Sequence, residues 1–139
     1  MSLAQIAEAV AARKLPPVEQ WSPDNTDDSH MRIAADGTWY HEGSPIRRGG
    51  MVRAFAGLLN REDDGSYWLV VPYQKLSIAV DDACFIATDV SETEGDLAFR
   101  LNTDELVVAG PGHAIRAAGD PDSPALYLHV RRGCEARLN

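Results

Sequence analysis

His41 and Glu42 put an imidazole beside a carboxylate, the pairing most often used for proton transfer. They lie in MRIAADGTWYHEGSPIRR, residues 31–48. Neighbours on a strand point to opposite faces, so this spacing alone does not aim both groups at one substrate. A metal centre would draw on His30, His41, His113 and His129, but these show no HxH, HExxH or Cys/His ligand spacing. A small metal-dependent hydrolase built on these histidines is one functional reading. The other is that His129, inside the apolar run LYLHV, is a hydrogen-bonded core residue. Gly110-Pro111-Gly112 lacks the GxxxxGK[ST] phosphate-loop pattern, and Pro111 removes an amide donor such a loop needs. A tight turn is expected there.

The basic residues carry more information. Acids fall in turn-like stretches (62–64, 81–82, 92–96, 104–105, 120–122), whereas Arg47, Arg48, Arg116, Arg131 and Arg132 fall at strand exits. Guanidinium groups fork onto phosphate or carboxylate oxygens, and pockets favour domain junctions with a few polar groups on apolar walls. The candidate ligand set is Arg47, Arg48, Lys75 and Arg116, with Trp39 and His41 shaping the wall. Its ligand would be a small anionic or nucleotide-like molecule held where two units meet. Strand-end solvation or salt bridging is the competing explanation for the same arginines. No catalytic residue, metal or cofactor is assigned, so the expectation is a ligand-binding or signalling module rather than an enzyme. A protein-interaction adaptor using a sheet edge and an N-terminal helix is the alternative without a ligand.

Composition sets limits on partners. The chain has 139 residues, a formal charge of −8 and 45% hydrophobic residues, enough for a real core. That charge argues against non-specific nucleic-acid binding, which needs a basic face. Cys84 and Cys134 are far apart without CxxC spacing, as expected of reduced thiols. The opening MSLAQIAEAVAARK lacks the basic lead and apolar core of a secretory signal, and no apolar run approaches the roughly 20 residues that span a bilayer. Together these point to a cytoplasmic protein with no membrane contact.

The elements that must position these groups are mostly strands. Residues 3–13 form an amphipathic helix with Leu3, Ile6, Ala7 and Val10 on one face, ended by Pro16-Pro17. A polar linker, 18–30, is pinned by Trp21 and Pro23. Ala35-Asp36-Gly37 suits a three-residue hairpin loop with Gly37 left-handed, which pairs Ile33 with Trp39 and Met31 with His41. Gly43-Ser44-Pro45 turns the chain. A helix over about 50–60 buries Met51, Phe55, Leu58 and Leu59 and ends at Asn60. Strands follow at 66–73, 75–80 and 84–90, with Pro72 expected at an edge or bulge. The acidic run SETEGD, 91–96, marks an internal boundary. Beyond it come LAFRL, a turn at Asn102-Thr103-Asp104, and ELVVA.

The two halves echo each other. HEGSPIR (41–47) resembles GPGHAIR (110–116), and YWLVVPY (67–73) resembles LYLHVRR (126–132). Both halves run hairpin, glycine corner, connection, long strand, which makes Arg47 and Arg116 equivalent. The expected fold is α+β: a helix and linker over 1–30, a first β-rich unit with one helix over 31–90, and a second β-rich unit over 91–139. Neither unit alone encloses a comfortable core, so the two are expected to share an interface.

Trp21 and Pro23, the block 31–48, DGSYWLVVPYQKLSIAVDD and YLHVRRGCEARLN together resemble a bacterial family catalogued as domain of unknown function 1285. The resemblance covers residues 20–139. Gln74 stands where the family tends to have an acid, and Ala83-Cys84 where proline is usual before Phe85; relatives tend to continue past Asn139 into an apolar tail. The resemblance implies two similar α+β units, the second superficially like a pleckstrin-homology domain. It implies no enzymatic activity, but a small ligand between the units and a role in signal transduction.

Overall fold

Twelve strands, one α-helix and a short 3-10 turn make up the described chain in this computed structural model, which describes residues 15–138. The helix expected at 3–13 lies outside the described residues. Contacts divide the chain between Cys84 and Phe85 into an N-terminal unit, Leu15–Cys84, and a C-terminal unit, Phe85–Asn139.

The N-terminal unit begins with the 3-10 turn Val18–Gln20. Six strands follow: β1 (Thr26–Ile33), β2 (Trp39–His41), β3 (Ser44–Pro45), β4 (Leu59–Arg61), β5 (Tyr67–Val71) and β6 (Gln74–Val80), with α1 (Gly49–Ala56) between β3 and β4. Their order across the sheet is β3-β2-β1-β6-β5-β4. Two antiparallel meanders thus meet along β1 and β6, which run parallel from Thr26↔Lys75 to Ile33↔Val80. Parallel strands need a crossover connection, and α1 supplies it.

The turn chemistry sets the first hairpin as expected. Gly37 takes φ +89, Ala34 and Thr38 close the loop, and the register pairs Ile33 with Trp39 and Met31 with His41. Asp36 adds a side-chain bond to the Thr38 amide at 2.9 Å. The next corner lies one residue earlier than expected. Glu42 and Gly43 both take positive φ, and Ser44-Pro45 already pairs with β2. Two successive positive-φ residues make the two-residue hairpin turn that matches strand twist.

The helix is shorter than its periodicity predicts. It ends at Ala56, Met51 stays exposed, and Leu59 and Asn60 belong to β4. Leu59 is buried by pairing with Leu69, so ladder hydrogen bonds and burial in the sheet win over continued helix. Leu69 and Val70, on opposite faces of β5, are both buried, as a doubly covered strand requires. Pro72 sits in the β5–β6 turn, where no ladder donor is missed.

The C-terminal unit repeats the plan. Its strands are β7 (Phe85–Thr93), β8 (Asp96–Leu101), β9 (Leu106–Val108), β10 (Ile115–Ala118), β11 (Ala125–Arg131) and β12 (Cys134–Leu138). The order is β10-β11-β12-β7-β8-β9. Counted within the unit and read from the other side, this is the same order as in the first sheet. The first and last strands are again parallel neighbours, at Ala136↔Phe85 and Arg137↔Ile86. Each sheet is mixed, and the duplication is structural. The acidic run 91–96, expected as the boundary, is instead the tip of the β7–β8 hairpin, paired through Thr93↔Asp96 around Glu94-Gly95. Acid-rich polarity marks a turn in water whether or not two units meet there.

Ile33 is fully buried between Trp39 on β2 and Val80 on β6. Ile33→Ala should therefore lower unfolding free energy by about 2–5 kcal/mol, read as a reduced denaturation midpoint at unchanged slope. A loss below about 1 kcal/mol would show that this pairing does not hold the sheet.

Candidate functional site

The candidate residues separate into three environments. Trp39 belongs to the core: it is 2% exposed and stacks on Phe55 of α1, with ring centroids 6.4 Å apart and planes 19° from parallel. Its indole Nε1 is buried and has no hydrogen-bond partner among the described residues. His41 lies on the exposed end of β2. Its Nε2 comes within 3.9 Å of Glu42 Oε1. The two side chains approach because Glu42 is a turn residue with φ +50, not a strand residue facing away.

Lys75 and Arg116 are both neutralised within their own units. The Lys75 ammonium lies 4.3 Å from the centroid of the Trp68 ring and binds both Glu62 oxygens at 2.7 and 2.9 Å. Trp68 is itself tethered: its Nε1 donates to Ser66 Oγ at 2.8 Å, and Ser66 Oγ donates to Asp64. Arg116 lies 4.5 Å from the centroid of Tyr127 and forks onto Glu135 at 2.6 and 2.7 Å. Trp68 and Tyr127 are on the fifth strands of their respective units. Each unit therefore places an ion pair over the aromatic of its fifth strand, with the ends exchanged. The cation is on the sixth strand in the first unit and on the fourth in the second.

That register corrects one expectation. Arg47 and Arg116 are not equivalent. Arg47 lies in the connection between β3 and α1, whereas Arg116 lies on β10, the counterpart of β4. Arg116 faces Tyr127 as Asn60 faces Trp68. The shared Ile-Arg pair compared a connection with a strand.

Arg47 and Arg48 remain exposed; the Arg48 carbonyl accepts from the Met51 and Val52 amides, but neither guanidinium is in an ion pair or hydrogen bond among the described residues. Arg48 is the N-cap of α1, with φ −82 and ψ 109. The amides of Gly49 and Gly50 follow, in the first turn where no intrahelical acceptor exists. A Cβ at Gly49 would stand 3.1 Å from an Arg53 guanidinium nitrogen, so Arg53 lies against that turn. The sequence had named Arg47 and Arg48. It had not named Arg53, whose spacing from Gly49 is a helical one-turn separation that was there to be read.

The histidines do not converge. His30 and His41 belong to the N-terminal unit, His113 and His129 to the C-terminal one. Among the described residues no group of three or more His, Cys, Asp or Glu side chains is placed to hold a metal. His113 Nδ1 meets the His129 carbonyl at 3.0 Å, and His129 Nδ1 meets the Gly112 carbonyl at 2.8 Å. A carbonyl only accepts, so both rings carry their proton on Nδ1. His129 is thus hydrogen-bonded as expected, but half-buried rather than in the core. Gly110-Pro111-Gly112 closes a tight turn, with Gly110 and His113 exchanging both backbone bonds.

Residues 16–83 match the family described as Domain of unknown function (DUF1285), N-terminal domain, and residues 84–139 match Protein of unknown function (DUF1285), C-terminal domain. The chain belongs to the DUF1285 family. The family division after residue 83 falls within a residue of the division between the two units. A DUF1285 family protein from Silicibacter pomeroyi DSS-3 is 42% identical, with a TM-score of 0.81 over 96% of this chain and 78% of that one. A DUF1285 family protein from Shewanella baltica OS155, 24% identical with a TM-score of 0.62, covers 78% of this chain and 83% of its own and shows the same fold. None of the curated proteins matches. No helix among the described residues is long and apolar enough to cross a membrane.

Two turn carboxyls sit below the usual aspartate range. Hydrogen bonds from the Thr38 amide and hydroxyl hold Asp36 down; those from the Ser66 hydroxyl and amide hold Asp64 down. Because the folded values are depressed, their contribution to stability is present above the ordinary aspartate range and is lost as pH falls through the folded value. Ser66→Ala should raise the Asp64 titration midpoint toward that ordinary range, followed by carboxyl-carbon NMR. An unmoved midpoint would break the link from Asp64 to Trp68.

Proposed function

We propose that this protein binds a small anionic ligand, of which a nucleotide phosphate is the fitting class, through Arg47 and Arg48 at the start of α1. One observation carries the reading. In a chain of net charge −8, these two neighbouring guanidiniums have no anionic partner among the described residues, while Lys75, Arg116 and Arg131 are each paired to a glutamate. Exposed guanidiniums without an anionic partner keep their forked donors available, and those donors suit phosphate oxygens. The helix amides beside it add donors and positive potential of the same sign. On this reading Lys75 and Arg116 serve the fold of their own units. Arg47, Arg48 and, against Gly49, Arg53 serve the ligand. The protein then acts as a binding or sensing module, with a role in signalling as its consequence.

A thermal-shift series with a nucleoside triphosphate, a nucleoside monophosphate and inorganic phosphate tests this. A ligand at about a hundredfold its Kd adds about 2.7 kcal/mol to the folded state. The shift should vanish in Arg47→Ala/Arg48→Ala, whose exposed side chains can be cut without disturbing the core. It should persist in Arg116→Ala. Absence of any shift, or a shift that survives the double substitution, removes the proposal.

A further inference from the structure

Acids and bases are unevenly shared along this chain. From Gly43 to Arg61 there are four arginines and no acid, although the whole chain carries −8. Within that stretch Arg48, Met51 and Ala54 recur at three-residue spacing and are exposed, while Phe55 stacks on the buried Trp39 and Ala56 is buried. Met51 is 43% exposed, and Arg47 and Arg48 stand about one turn before it. The outer face of α1 is therefore positive at its start and apolar beside that charge.

Several carboxylates elsewhere are held by their own neighbours. Glu62, Asp81, Glu105 and Glu135 are in ion pairs. Asp36, Asp64 and Asp120 accept from turn amides. The tip of the β7–β8 hairpin differs. Glu92, Glu94 and Asp96 gather there, and none of the three is in an ion pair among the described residues. The hairpin fixes their spacing: Glu92 pairs with Leu97 and Thr93 with Asp96, around a turn in which Glu94 takes φ +54. Leu97, beside these acids, is 41% exposed.

We propose that the outer face of α1 docks the β7–β8 tip of a second copy of this chain. Arg47 and Arg48 meet Glu92, Glu94 and Asp96, and Met51 meets Leu97. Charge complementarity picks out this occupant, because the tip offers the opposite charge with an apolar group beside it. Exposed ion pairs are individually weak, so the contact needs several of them together with the apolar pair. It joins two different surfaces, so it closes into a ring or continues into larger species. The arginines are those assigned above to a small anion, and tip and phosphate compete for them. The contact itself needs no ligand.

The test is a charge exchange read by sedimentation equilibrium over a concentration series. The wild type should gain mass above that of a single chain as concentration rises. Arg47→Glu/Arg48→Glu and Glu92→Lys/Glu94→Lys should each stay at the mass of one chain. All four side chains are exposed, so both variants leave the core intact. Mixed in equal amounts, the two variants should associate again, because the reversed tip of one meets the reversed face of the other. Three results overturn the proposal: a wild type that stays single throughout, a variant that associates alone as the wild type does, or a mixture that does not associate. A wild type that shows the nucleotide thermal shift but never gains mass sinks this contact and leaves ligand binding standing; one that gains mass without the shift does the reverse.

Discussion

Each unit depends on one long-range constraint: its first and last strands must lie side by side and run the same way. Every other strand contact in the sheet is a local hairpin or meander. Closing the first strand against the sixth brings together residues some fifty positions apart, such as Ile33 and Val80 or Phe85 and Ala136. That closure costs chain entropy before it returns any burial. The return is concentrated in Ile33, Trp39 and Ile78 in one unit and in Phe85, Leu128 and Ala136 in the other, all buried. The crossover that permits parallel pairing differs between the units. One uses α1 and the other the short turn at Pro111-Gly112. Identical strand order with different connections indicates that the pairing, and not the linking segment, defines the unit.

Charge is distributed around the same framework. The fifth strand carries a half-buried or buried aromatic in each unit, and an ion pair straddles it. The flat ring gives the cation's alkyl or guanidinium plane an apolar seat, while the glutamate neutralises it. Exchange of cation and acid between the two units preserves this arrangement because attraction between opposite charges has no preferred end. Arg131 follows the same habit, bound to Glu105 and lying 5.2 Å from the centroid of Phe85. The cations that these pairs absorb are unavailable for ligands. Arg47 and Arg48 stand outside the pattern, in a connection that has no counterpart strand.

The hairpin lengths separate the two units further. β1–β2 turns directly after Ile33, and β6 covers that strand to its end. β7–β8 runs three pairs past Val90 before turning at Glu94-Gly95. The added length carries Val90 and the acidic residues at the hairpin tip. One duplicated plan thus carries first hairpins of different length in its two units.

Local features were legible in the residues. The Asp36-Gly37 loop and the two-residue alternation fixed the register of Ile33 and Trp39, because turn geometry and side-chain period act over a few residues. The duplication was visible too, in the matching of YWLVV with LYLHV. The division of the chain, the end of α1 and the fate of each basic residue were not. Asn60 prefers a helix end in isolation, but β5 claims it for a strand. Arg116 and Lys75 look like Arg47 in sequence, but their glutamates arrive from other strands, at Glu135 and Glu62. Those outcomes depend on which distant segments pair, and one-dimensional periodicity contains no term for that.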